Sequence, residues 1–336
     1  MTNHCLAIGV AGLLMAAAAA AQPAADTLIV LNKEEATLVL VDPASGQILG
    51  RVPTGEGPHE VAVSSDGRTA FVGNYGAQTP GSTLSVVDLT ARKALRRVDL
   101  GPLRRPHGMA AAGSRVYFTA ETNRLIGRYD AASNQVDWLL GTGQAGTHMV
   151  WVSGDETTIV TANIGSDSVT VMQRGENPLA WNQTIVQVGK GPEGFDVSPD
   201  GRELWAAHSR DGGVSIVDLA SKKVVQTIDA GTRRSNRLKF TPDGRLALVS
   251  DLDAGDLVVL DVASRTVSKR IPLGKMPEGI LMAPDGSTAY VAVNADDHIA
   301  VVDLKALEVV RKITTGDGPD GMAWAAGAST KGAPVW

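Results

Sequence analysis

A unit of about 43 residues recurs along most of this chain, and that period restricts its fold more than any other feature. Each unit opens with G-x-x-P-(H/E/D)-G, continues through an apolar run into a turn, and then gives three further short apolar runs. The first turn reads Ser64 to Gly67, Ser198 to Gly201, Thr241 to Gly244 and Ala283 to Gly286. All but the first carry Pro-Asp-Gly. Proline fixes φ in such a turn and glycine accepts a positive φ, so each is a hairpin between strands. The third run ends in Asp42, Asp88, Asp130, Asp218, Asp261 and Asp303. Apart from one double interval, these aspartates lie 42 to 46 residues apart, the spacing of a four-stranded propeller blade.

The runs are rich in Val, Ile and Thr, as in Val214-Ser215-Ile216-Val217, and no sustained helical period appears. The count closes at seven. Thr27-Leu28-Ile29-Val30 matches a second strand, and the missing first strand stands at Pro319-Asp320-Gly321-Met322-Ala323-Trp324. The expected fold is therefore an all-β, seven-bladed β-propeller of four-stranded blades, closed by pairing of the N- and C-terminal strands so that no free edge remains. The fourth blade is the least regular, because residues 173–182 replace its Asp-ended turn.

Residues 1–21 read as a signal peptide, with an apolar run from Leu6 to Ala21 ending in an A-x-A pattern before Gln22. The segment before that run carries no Lys or Arg, so an uncleaved anchor is the alternative. The run is shorter than the roughly 20 residues a span requires, and no comparable run follows, so no membrane span is expected in the mature chain. The propeller is expected over 22–326, with 327–336 as a flexible tail. The single cysteine, Cys5, precedes the apolar run, so the mature chain has no disulfide or thiolate chemistry. A net charge of −5 gives no reason to expect nucleic acid, whose binding needs clustered positive charge. The expected location is periplasmic or secreted.

The chain resembles the YVTN-repeat β-propeller family. The resemblance rests on Gly55-Glu56-Gly57-Pro58-His59, Gly189-Lys190-Gly191-Pro192-Glu193-Gly194, Met276-Pro277-Glu278-Gly279 and Tyr290-Val291-Ala292-Val293-Asn294. It covers essentially the whole mature chain and implies the fold, but no single activity. Surface-layer proteins, ligand and nucleic-acid binders and the propellers of quinone, heme and copper redox enzymes belong to the family or its relatives, and lactonases share a similar fold.

Aligning the units places His59, His107, His148, Glu193, Asn236, Glu278 and Asp320 immediately before the seven first strands, around the mouth of the central channel. A second ring, Asn32, Asn74, Glu121, Asn163, His208, Asp251 and Asn294, ends the second strands, and His298 joins this face. Two readings stay open for these rings. Their members can hydrogen-bond neighbouring loops. Alternatively, His59, His107 and His148, on three consecutive blades, can converge on a divalent transition metal such as zinc, copper, iron or nickel, with Glu193 and Glu278 as candidate catalytic groups. Arg104, Arg105, Arg233, Arg234 and Arg237, with Asn236, Asp320 and His208, are the candidate contacts for a small anionic ligand. Solvated loop charge is the alternative for the arginines.

No nucleophile elbow, Walker loop or C-x-x-C-H heme attachment occurs, and a G-x-G-x-x-G following a strand is not expected, the glycines being read as turn punctuation. The sequon at Asn182 is discounted as a chance match. Trp151, Trp181 and Trp205 are expected to pack between blades. The composite expectation is an exported propeller that binds a small anion, a metal ion or a periplasmic partner protein. The alternatives are a metal-dependent lactonase, hydrolase or lyase, and an accessory subunit of a periplasmic redox system.

Overall fold

The computed structural model describes residues 25–177 and 179–327. The expected export segment at 1–21 lies outside them, and of the expected tail at 327–336 only Gly327 lies within them. Among the described residues, 28 strands form seven antiparallel sheets of four, with short 3₁₀ turns at Glu121–Asn123 and Asn294–Asp296. We number the blades from the N terminus. Blade 1 joins the two ends of the chain: Thr27–Asn32 pairs with Pro319–Ala325, setting Leu28 opposite Trp324 and Val30 opposite Met322. The closure is the one expected from the repeat count.

The turn chemistry acts locally. In the first hairpin of blade 5, Gly201 takes φ +71° and its N–H donates to Ser198 O at 2.8 Å. Asp200 Oδ1 accepts from Ser198 Oγ at 2.7 Å and from the Arg202 N–H at 3.1 Å. The aspartates ending the third strands cap the next turn in the same manner, as where Asp218 Oδ1 accepts from the Ser221 N–H at 2.7 Å. In blade 4 the third turn is closed instead by Gly175 N–H donating to Ala180 O.

The core lies between blades. Leu28, Val30, Val39 and Val41 of blade 1 pack on Tyr290, Ile299 and Val301 of blade 7, and Trp324 joins them. The second strands are buried almost throughout, whereas an outer strand such as Lys223–Asp229 buries only Ile228. Each such aliphatic side chain contributes about 1.5–3 kcal/mol, and an alanine there leaves a void in the seam between sheets. Trp205 is fully buried between blades 5 and 6, while Trp151 and Trp181 are partly buried against inter-blade clusters.

Two sequence readings need correction. The residues placed before the first strands lie inside them, as the second residue in each case, because the strands begin at Pro58, Pro106, Thr147, Pro192, Ser235, Pro277 and Pro319. The inner strand starts with proline in five blades, where a missing N–H costs least. The spacing G-x-G-x-x-G also does follow a strand: Trp181–Gln187 precedes Gly189 to Gly194. The next element is the inner strand Pro192–Val197, so no helix N-terminus is present to receive a phosphate.

Candidate functional site

Every inner strand carries one extra residue at its start. In blade 2, Pro58 is opposite Asn74 and Val61 is opposite Val72, so two residues, His59 and Glu60, face one. The same shift follows Pro106, Thr147, Pro192, Ser235, Pro277 and Pro319. A β-bulge redirects side chains, and repeating it in seven blades directs one ring of residues into the channel mouth. The ring is His59, His107, His148, Glu193, Asn236, Glu278 and Asp320. Where the following residue is Gly108, Gly194, Gly279 or Gly321, a Cβ would lie 2.1–2.6 Å from the neighbouring inner strand's backbone oxygen. Glu60, Met149 and Arg237 break that glycine pattern.

The histidines form a row of packed rings. Centroids lie 5.2 Å apart for His59–His107 and 3.8 Å for His107–His148. Tyr75 stands 4.5 Å from His59 and 5.3 Å from His107, with the Arg105 guanidinium 4.5 Å over its ring. Glu121 ties the row together, its Oε2 accepting from Tyr75 Oη at 3.3 Å and lying 3.1 Å from His148 Nδ1. Burial, with Glu121 beside it, pushes the Tyr75 hydroxyl up to about 12, so it remains a donor. Burial holds His59 down to about 4, and it keeps His107 well below the usual imidazole range, with His148 and His59 adding to the effect. The convergent metal triad is not the arrangement found. Among the described residues, no three His, Cys, Asp or Glu are placed to hold one ion.

Opposite the histidine row the ring is charged. Lys33, in the turn after the N-terminal strand, lies 2.7 Å from Glu278 Oε2 and 3.5 Å from Asp320 Oδ2. From blade 6, Arg237 crosses to Glu60 of blade 2, with Nη2 at 2.6 Å and Nε at 3.1 Å from Oε1. Arg237 Nη1 also donates to Asn236 Oδ1, and Asn236 Nδ2 donates to Glu193 Oε1 at 2.8 Å. Three carboxyl groups thus surround two fixed cations in a nearly dry cluster. Burial raises Glu278 to about 8, with Asp320 contributing, and burial also raises Glu60 against the pull of Arg237. Burial opposes ionisation of Asp320, but Lys33, His59 and Arg237 together outweigh it and lower its affinity for a proton. Lys33 remains charged, because Asp320 and Glu278 outweigh the cost of its burial.

The candidate anion contacts do not form one cluster. Arg237 is buried and engaged by Glu60. Arg104 donates to the backbone oxygens of Gly101 and Leu103. Arg233 and Arg234 have exposed side chains; their backbone N–H groups donate to Asp251, and the Arg234 carbonyl accepts from Leu252 N–H. His208 is 1% exposed; its Nε2 accepts from Gly189 N–H and Ser215 N–H, and its Nδ1 faces Asp211 at 2.9 Å. It latches the loop leading into its own blade, as Asn74 does through Gly55 N–H and Asn32 through Thr315 O. Most of the second ring is structural in this sense.

The residues 109–287 match the family model described as YNCE-like β-propeller. This chain belongs to that family. The chain also matches a dihydro-heme d1 dehydrogenase of Pseudomonas aeruginosa, 35% identical over 114 residues. That stretch is 34% of this chain, and the chain spans about a fifth (22%) of the curated relative's length. Solved structures share the YNCE-like fold. A protein of unknown function from Desulfotomaculum acetoxidans superimposes with TM-score 0.75 at 13% identity, covering 89% of this chain and 99% of that one. A periplasmic gluconolactonase of P. aeruginosa gives TM-score 0.73 at 20% identity, covering 90% and 99%. Among the described residues, no helix is long and apolar enough to cross a membrane.

Lys33, Glu60 and Tyr75 are absent from the site residues expected from sequence. Glu60 had a readable signal, since it and Arg237 place opposite charges at a position that is glycine in four other blades. Lys33 follows a second strand and Tyr75 lies near the end of another, where no repeat rule marks them.

Proposed function

We propose that this chain is an exported binding propeller that holds a small polar molecule at the mouth of its central channel. One observation carries the reading. Three buried polar atoms at this mouth, His107 Nδ1, His148 Nε2 and Asp320 Oδ1, have no hydrogen-bond partner within the protein. Buried polar atoms are nearly always satisfied, and leaving one unmet costs about 1–3 kcal/mol. Several in one ring, presented by equivalent bulges on blades 1, 3 and 4, match a site completed by a ligand. Export rests on the apolar run before Gln22. It is tested by mass spectrometry of the secreted or periplasmic protein, which should begin at Gln22.

Binding is tested by thermal-shift screening of small polar molecules against the wild type, His107→Ala and Asp320→Asn. Ligands of the mouth should stabilise the wild type and lose that effect in both variants. Equal stabilisation of all three proteins would refute the reading.

A second reading, hydrolysis of a lactone, is favoured by Glu278 retaining a proton beside ionised Asp320. One group can protonate a leaving oxygen while the other takes a proton from the attacking water. The P. aeruginosa gluconolactonase shares this fold. Acid release from glucono-1,5-lactone at pH 6.5, compared between wild type and Glu278→Gln, decides it. A rate no higher than spontaneous hydrolysis refutes it.

A further inference from the structure

We infer that the channel mouth selects an uncharged, hydroxyl-rich molecule of monosaccharide size, in place of the small anion suggested by the arginines in the sequence. This rests on the proposed binding role of the mouth and specifies its ligand. The cations near the ring already have partners: Lys33 is held between Glu278 and Asp320, Arg237 is held by Glu60, and Arg105 covers Tyr75. An arriving anion would have to displace a buried carboxylate from its cation, which leaves a charge unpaired.

Two of the three unpaired atoms, with one nitrogen of His59, point to a ligand that donates, while His107 Nδ1 donates or accepts according to its tautomer. Asp320 Oδ1 only accepts while the group is ionised. His59 donates from Nδ1 to Gly57 O at 2.9 Å, so in the neutral ring its other nitrogen accepts. With Nδ1–H of His148 directed to Glu121, neutral His148 likewise presents Nε2 as an acceptor. Acceptors from blades 1, 2 and 4 therefore flank one mouth, which calls for several O–H groups on one small frame.

A ligand cation would also satisfy acceptors, but Lys33 stands 3.5 Å from the other oxygen of Asp320, and Arg105 covers the neighbouring ring. Both repel a second positive charge. Of the four packed rings His107 and His148 are buried, whereas His59 and Tyr75, 4.5 Å apart, are partly exposed and offer a surface of the kind that the C–H face of a pyranose covers.

The test is isothermal titration of the folded, mature protein with D-glucose, myo-inositol, D-gluconate, inorganic phosphate and ethanolamine. Glucose or inositol should bind, and at least tenfold more tightly than phosphate or ethanolamine. Asp320→Asn should weaken that binding tenfold or more. Tyr75→Ala, at a half-buried position, should weaken it at least threefold and serves if Asp320→Asn does not fold. Binding of phosphate or gluconate without binding of either neutral polyol would overturn the inference, as would the absence of polyol binding at 50 mM. If the anion's binding is then lost in Tyr75→Ala, the mouth remains the binding site and only its ligand class changes. If it is unaffected, the mouth is not the site.

Discussion

Replacing Glu278 by glutamine tests the proton held at the channel mouth. Burial, reinforced by Asp320, raises this carboxyl to about 8. In the unfolded chain it returns to about 4.3. Between those two values the folded protein carries a proton that the unfolded chain lacks. The associated stability is fully present below the unfolded value and is lost as pH rises through about 8, at about 1.4 kcal/mol per pH unit. The lower part of that interval is shared with histidines of the opposite sign. His59, His107 and His208 are lowered chiefly by burial, so they bind fewer protons folded than unfolded, and stability increases with pH up to about 6.5. Asp320, lowered, acts only below its unfolded value near about 3.9.

The interval from pH 6.5 to 8 therefore isolates the glutamate. Across it the wild type should lose on the order of 2 kcal/mol, and Glu278→Gln, with nothing to titrate, should lose none of that amount. Glu60 is also raised by burial and has the same sign, so Glu60→Gln is measured in parallel to remove its share. Urea denaturation at half-unit steps from pH 6 to 9, fitted with a common slope, gives the profile. Parallel profiles for wild type and Glu278→Gln, within about 0.5 kcal/mol across the interval, would refute the charge balance derived for Lys33, Glu60, Arg237, Glu278 and Asp320.

Other perturbations separate the parts of the fold. Gly321→Ala drives a Cβ to 2.1 Å from His59 O and should cost about 3 kcal/mol or more, whereas Gly154→Ala, with open space around it, should stay within about 0.5 kcal/mol in the same denaturation assay. Arg237→Met leaves Glu60 buried without its partner and should destabilise by about 3–5 kcal/mol, and adding Glu60→Met should restore most of the loss in a double-mutant cycle. Truncation after residue 317 removes the inner strand of blade 1 and exposes both faces of the seam; calorimetry should then show a broadened transition in place of a single cooperative one.

The repeat made the architecture legible from the chain alone, because turn chemistry and period are local properties. Thr27 and Trp324 could be assigned to one blade by counting. The bulges could not be read that way. A bulge adds a residue without altering the blade period, so His59 and its equivalents appeared to precede strands in which they actually lie. The chemistry of the mouth was legible as a set of residues and not as a set of contacts. Arg237 reads as one of three arginines in a loop, and only the bulge turns it inward while Arg233 and Arg234 remain exposed. The histidine row shows the same limit: sequence places three imidazoles on consecutive blades, but the inter-blade spacing and the Glu121 hydrogen bond decide that the rings stack.

The seam in blade 1 has a further consequence. Lys33 follows the first strand of the described chain and Asp320 lies in the last, 287 residues apart in the numbering, yet they meet at 3.5 Å. The clasp that closes the circle is therefore also part of the proposed binding wall. A molecule gripped by Asp320 would hold the terminal strand in place, so occupancy of the mouth and resistance of the ring to unzipping would rise together. A protease attacking the C-terminal end would then report whether the mouth is filled.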